Sequence, residues 1–400
     1  MHADPARGID TQQKEFPRAI ARPVKSRRSG RGGIGRYAYA CLCLSFSIGA
    51  SAVAAADVAT AANAAPRVSV FATGFNNPRG LKFGPDGNLY VAEGGTGGPL
   101  STTSADCMQV PLGVGPYTGS PVGARISQVD RHGNRTTVID NLPSSQTSVD
   151  SGALISGVGD VAFIDNTLYA LLAGAGCSHG VADIPNGVIR VNHDASWKMV
   201  ANLSAFQQAN PVMNPNPDDF EPDGTWYNMV AVGHDLYAVE PNHGEIVKVA
   251  ANGKISRVID ISASQGHIVP SAMTYFRGNL YVGNLGVFPQ PIGSSNIYKV
   301  TPGGQISVAV GGFDMVLGVT FDNRGRMVVL EMSAGNEAPV PYTGRVTRIS
   351  PSGAREILAD GLFFPTGMTL GPDGDVYVSN FGFGPPPVGL GQVLRIELAN

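Results

Sequence analysis

Gly84-Pro85-Asp86-Gly87-Asn88-Leu89-Tyr90-Val91-Ala92 and Gly371-Pro372-Asp373-Gly374-Asp375-Val376-Tyr377-Val378-Ser379 are two copies of one phrase. Asp-Gly between apolar runs marks a tight hairpin, because glycine takes positive φ without strain. Weaker copies centre on Leu168-Tyr169-Ala170, Leu236-Tyr237-Ala238, Leu280-Tyr281-Val282 and Met327-Val328-Val329. A period of roughly 40–50 residues built only of strands and turns predicts a β-propeller.

One unit shows the plan. An inner strand over 80–83 is followed by the Gly-Pro-Asp-Gly turn and a return strand over 88–93. After an insertion come strands over 124–130 and 135–141, which makes four. The next blades run over 158–206, 228–262, 270–313 and 315–361. The last unit has only three strands (367–370, 376–380 and 391–398), whereas 67–75 precedes the first blade without a partner. The expectation is an all-β, six-bladed propeller with four antiparallel strands per blade. The 67–75 strand completes the final blade, leaving no open edge. No stretch after residue 60 has a sustained helical period.

With 52 Gly, 29 Pro and only 15% charged residues in 400, the composition fits a turn-rich β protein. The N-terminus is different. Residues 1–36 are basic, 37–56 carry no charge, and Ala52-Val53-Ala54-Ala55-Ala56 precedes Asp57. This reads as a cleaved secretory signal over 1–56, then a linker over 57–66 and the propeller over 67–400; the alternative is an N-terminal membrane anchor. Removal of 1–56 takes nine of 28 basic and three of 31 acidic residues, moving the net charge from −3 to −9. An acidic, periplasmic or secreted, monomeric protein with no membrane span in its mature chain is expected, and nucleic acid is excluded as a partner. Cys41 and Cys43 leave with the signal, so Cys107 and Cys177 remain to form a disulfide in an oxidising compartment.

Loop lengths sort the two faces. Turns between strands one and two, and three and four, are tight. The long segments (94–122, 143–157, 173–187, 206–227, 284–296, 332–343 and 381–390) all emerge on the opposite face, where a small-molecule or protein partner is expected. There the second strands end at Glu93, Ala173, Glu240, Asn284, Glu331 and Asn380. Two readings stand for this rim. The oxygens ligate Ca²⁺ or Mg²⁺, or each side chain bonds neighbouring backbone. Asp219, Glu221 and Asp223 before Gly224 resemble half a calcium loop, but Val230 stands where the closing carboxylate belongs. Of the histidines on this face (His179, His243 and His267), His243 close after Glu240 is the candidate acid/base. Gly176-Cys177-Ser178-His179-Gly180 matches a nucleophile elbow in letters, but Pro185 and Asn186-Gly187 leave no room for the helix that motif needs.

Asn77-Pro78-Arg79-Gly80-Leu81 leading into the first phrase is similar to the opening of the ScyD/ScyE family. So are Tyr342-Thr343-Gly344-Arg345-Val346, Phe364-Pro365-Thr366-Gly367-Met368 and Ser379-Asn380-Phe381-Gly382. The resemblance spans about 67–400 and implies an exported propeller of the NHL type, with no catalytic motif to carry over. Residues 223–229 and 240–243 depart from the family wording, which puts any shared site in the third blade in doubt. Two functions follow as expectations: a ligand- or partner-binding propeller, or a metal-dependent hydrolase or lyase of the gluconolactonase and streptogramin-lyase kind.

Overall fold

The repeated phrase folds as its chemistry requires. In both strong copies the first glycine amide bonds the carbonyl four residues on (Gly84 to Asn88, 2.8 Å; Gly371 to Asp375, 2.7 Å). The aspartate then accepts the hydroxyl of the strand tyrosine: Tyr90 to Asp86 at 3.0 Å, Tyr377 to Asp373 at 2.8 Å. A Cβ on Gly84 or Gly371 would lie 2.6 Å from that tyrosine ring, so the glycine makes room for it. Turn, carboxylate and aromatic are therefore one device, which is why they recur together.

The computed structural model describes residues 66–382 and 389–398. The signal over 1–56 and nearly all of the linker lie outside the described residues. Six antiparallel sheets follow in chain order. Blade I is Pro78–Phe83, Leu89–Glu93, Thr118–Val129 and Arg135–Gln146, with Ile155–Ser156 added at its edge. Blade II is Val158–Ile164, Thr167–Leu172, Gly187–Val191 and Trp197–Asn202. Blade III is Asn228–Val232, Asp235–Glu240, Glu245–Val249 and Ile255–Asp260. Blade IV is Pro270–Phe276, Asn279–Asn284, Ser295–Val300 and Ile306–Phe313. Blade V is Val316–Phe321, Met327–Glu331, Gly344–Ile349 and Arg355–Leu362. Blade VI is Gly367–Leu370, Val376–Asn380 and Gly391–Glu397, completed by Arg67–Phe75.

That completion closes the ring. Arg67–Phe75 runs antiparallel to Gly391–Glu397, with Arg67 opposite Glu397 and Phe75 opposite Gly391. The inner strand of blade I packs against those of both blade II and blade VI, and each later inner strand packs on the next. Apolar side chains gather into one cluster at each of the six blade interfaces. Second strands such as Met327–Glu331 and Val376–Asn380 are buried throughout, because both faces meet a neighbouring blade. Outer strands such as Ile306–Phe313 are largely exposed.

Two details differ from the sequence reading. The outer hairpin of blade I is longer than 124–130 and 135–141, because Thr118–Ser120 pairs with Ser144–Gln146 after a register shift. Among the described residues two short α-helices also occur, Leu203–Ala209 and Ser262–Gln265; Asn202 caps the first by accepting the Ala205 N–H at 2.9 Å. Seven residues are under two turns, too few to show a period. Among the described residues no helix is long and apolar enough to cross a membrane.

Candidate functional site

Five polar side chains end the second strands, and four of them do the same job. Each accepts a backbone N–H from the segment entering its own blade's inner strand: Glu93 from Asn76, Glu240 from Thr225 (3.0 Å), Glu331 from Asp314 (2.9 Å) and Asn380 from Phe363 (2.9 Å). Asn284 ties the same segment as a donor, to the Ile268 carbonyl at 3.1 Å, and takes the Asn296 N–H at 2.7 Å. Glu93 also accepts from Arg125 and Ser127, and Glu240 from the His243 N–H. A crossover amide buried at a blade junction needs an acceptor, and the rim supplies one. At least one side-chain oxygen of each of these residues thus already accepts a protein donor. Among the described residues no group of three or more His, Cys, Asp or Glu is arranged to hold a metal ion.

The acids of the 206–227 loop point three ways. Asp219 meets His267 Nε2 at 2.7 Å. Glu221 accepts the Tyr117 hydroxyl at 2.7 Å and faces His179 Nε2 at 3.5 Å. Asp223 accepts both the N–H and the hydroxyl of Ser178. Ser178 is therefore held by a carboxylate, while the His179 ring pairs through Nδ1 with Ser145 at 2.9 Å and not with its neighbour Ser178. Cys107 and Cys177 are joined as a disulfide, clipping the blade I insertion onto the blade II loop.

These contacts build a cavity of about 290 Å³ at the channel mouth. Blades I to V all contribute, with Val114, Leu154, Val269, Leu285 and Leu317 among its apolar walls. Asp219 and Glu221 line one part, Arg79 and Tyr227 another. Arg79, buried, donates to the Ile155 carbonyl and sits against Tyr227. The Tyr227 hydroxyl donates to the Thr366 carbonyl at 2.8 Å, and burial pushes its pKa up to about 12, so it stays a neutral donor. Tyr117, Trp226 and Tyr227 went unread as site residues in the sequence. Arg79 stood inside the Asn77-Pro78-Arg79-Gly80 signature, just before the inner strand read over 80–83, and that was the usable signal.

No protein-family model matches the sequence, and no curated protein matches it significantly. Solved structures do match. A structural genomics protein of unknown function from Bacteroides thetaiotaomicron VPI-5482 is 12% identical over 83% of this chain and 76% of its own, with a TM-score of 0.50. A gluconolactonase from Xanthomonas campestris is 10% identical over 84% and 90%, TM-score 0.48. Virginiamycin B lyase from Staphylococcus aureus is 14% identical over 84% and 100%, TM-score 0.43. The likeness is one of propeller fold.

His243 does not line the channel mouth; its Nε2 lies 2.9 Å from the Glu221 carbonyl oxygen, and burial lowers its pKa. Glu240 beneath it is a carboxyl that burial pushes up from 4.5 to about 7. The folded state therefore keeps the Glu240 proton between pH 4.5 and 7, where the unfolded chain has lost it. This group's contribution to stability falls as pH rises through that window, by about 3 kcal/mol in all. The neighbouring His243 acts in the opposite direction, costing stability as pH falls below its unfolded pKa of 6.5. A ¹³C carboxyl titration separates the two. The Glu240 midpoint is expected near 7; one below about 5, the ordinary carboxylate range, refutes the burial argument.

Proposed function

We propose that this chain is an exported, ScyD/ScyE-like propeller that binds a small amphipathic molecule in the mouth of its central channel. The observation that carries this reading is the 290 Å³ cavity whose walls come from five blades. Its volume sits at the lower end of the range of about 300–1,000 Å³ for small-molecule sites. Apolar walls favour an apolar body, and Asp219 with Glu221 favour a group bearing N–H or O–H donors. The Cys107–Cys177 disulfide supports an oxidising compartment, hence export.

The test is a ligand-observed NMR screen with neutral and cationic fragments of about 10–20 non-hydrogen atoms, run on the wild type and on Val287→Trp. Val287 is 46% exposed at the cavity lip, so tryptophan there narrows the mouth without entering the core. Hits are expected to weaken about tenfold or more in the variant. A screen without hits, or hits that bind Val287→Trp unchanged, removes the reading.

A further inference from the structure

The two faces of the ring differ in what they expose. Most large apolar side chains left in solvent stand on the long segments; the others lie in strands, and among the described residues none stands in a tight turn. Leu112 is 91% exposed, Val149 85%, Met213 73% and Tyr342 63%. They come from the blade I insertion, the crossovers from I to II and from II to III, and the blade V loop. Single exposed apolar residues are ordinary on any surface, but their gathering at loop tips on one side marks an interaction surface.

Charge is sorted by face as well. The segments 94–122, 143–157, 173–187, 206–227, 284–296 and 332–343 hold eight Asp or Glu and no Lys or Arg. The tight turns mix the two signs, with Arg131, Lys254, Arg277 and Arg324 among them. Asp106, Asp150, Asp183, Asp218 and Glu337 are exposed on the same segments as the apolar tips, and among the described residues none of them makes an ion pair. The tips are braced. Asp106 and Met108 flank Cys107, whose disulfide fixes them to the blade II loop. The Val149-Asp150 turn is closed by the Gly152 N–H, which donates to the Val149 carbonyl at 3.0 Å. In blade V the Ser333 hydroxyl accepts the Val340 N–H at 3.0 Å, and the Tyr342 ring stands edge-on to Phe363 at 4.9 Å. Side chains presented at fixed places lose little freedom on docking.

We infer that this face docks a basic, amphipathic segment of another protein, one that sets Lys or Arg between large apolar residues. Such a segment covers the apolar tips and brings cations to the unpaired acids between them. A second copy of this chain would bring the same acids, and an anionic lipid surface or a nucleic acid would bring like charge. A neutral bilayer would accept the apolar tips but strip water from the acids without answering them. None of Leu112, Val149, Met213 and Tyr342 lines the channel-mouth cavity, so this surface and the small-molecule reading fail separately.

The probe is a short, fluorescently labelled peptide of alternating Lys and Leu, titrated with the full-length protein and followed by anisotropy. It is expected to bind, and more weakly as salt rises. Peptides of alternating Glu and Leu, or Lys and Ser, are expected to bind about tenfold more weakly or not at all. The triple variant Val149→Ser/Met213→Ser/Tyr342→Ser is expected to weaken the Lys-Leu peptide about tenfold or more. Asp150→Asn/Asp218→Asn is expected to weaken it about threefold or more, and Asp165→Asn/Asp194→Asn, which removes the same charge from the tight turns, to leave it unchanged. All these positions are exposed, so every variant is expected to fold. Absence of binding, equal binding of the Glu-Leu peptide, affinity that survives the triple variant, or equal losses in the two Asp pairs overturns the proposal. So does capture of the wild type, but not of the triple variant, by vesicles of neutral phosphatidylcholine, which would make the surface a lipid one.

Discussion

Deletion of Arg67–Phe75 is expected to abolish the monomeric fold, leaving protein that aggregates when expressed at ordinary temperature. The strand supplies the fourth member of blade VI, and without it the whole length of Gly391–Glu397 becomes an unpaired edge. It also carries Ala72 and Phe75 into the cluster between blades VI and I, where Phe75 is fully buried against Leu81, Leu89 and Val393. Phe75→Ala alone is expected to cost about 3–5 kcal/mol, as buried phenylalanine truncations do. The deletion removes that contact and a seven-pair ladder, and with them the hydrogen-bonded tie by which the chain leading into blade I holds blade VI. Size-exclusion chromatography and thermal melting decide the matter. A deletion variant that elutes as a monomer and melts within about 5 °C of wild type shows that the ring does not depend on this closure.

This closure was legible in the sequence because the last unit lacked a strand and the first was preceded by a spare one. The blades were legible for a more local reason. Turn glycines, the Asp86 or Asp373 carboxylate and the Tyr90 or Tyr377 ring form one interlocked unit, so the letters recur wherever the geometry does. The extension of the blade I hairpin was not legible. Gly119 and Ser120 read as loop, and they are held as strand by pairing with Ser145 and Ser144 after a register shift that no local preference encodes.

The rim could not be decided from residue type, since a carboxylate that binds a cation and one that accepts a backbone N–H look alike in sequence. One pattern does distinguish them in hindsight. Glu93, Glu331 and Asn380 each stand 17 residues after the amide they accept, and Glu240 stands 15 after its own. A fixed offset within each repeat is the mark of a structural tie inside the blade. Ligands to a shared ion have no reason to keep step with the amide that precedes them. The contacts around the channel mouth carry no such offset. Tyr117 and Glu221 are 104 residues apart, and Ser178 and Asp223 are 45, joined only because three insertions fold over the same face.

Those insertions set the other large expected effect. Cys107→Ala/Cys177→Ala, or reduction of the wild type, is expected to destabilise the protein by about 4 kcal/mol, the loop-closure entropy of a bridge across 70 residues. Reductant should leave the double variant unchanged, because the pair is the only bridge among the described residues. The loss acts mainly through the unfolded chain, so the β-sheet signal of the folded state is expected to persist. Locally, the Leu100–Gly119 pairing and the Thr102 bond to the Cys177 carbonyl keep part of the insertion in place. The segment that carries Met108 and leads to Val114 and Tyr117 loses its anchor, so the channel-mouth cavity loses definition at one wall. Guanidinium unfolding with and without reductant gives the first quantity, and hydrogen exchange across 94–122 gives the second. Equal midpoints in the oxidised and reduced protein, with unchanged exchange in that segment, would show that the disulfide holds neither the fold nor the face.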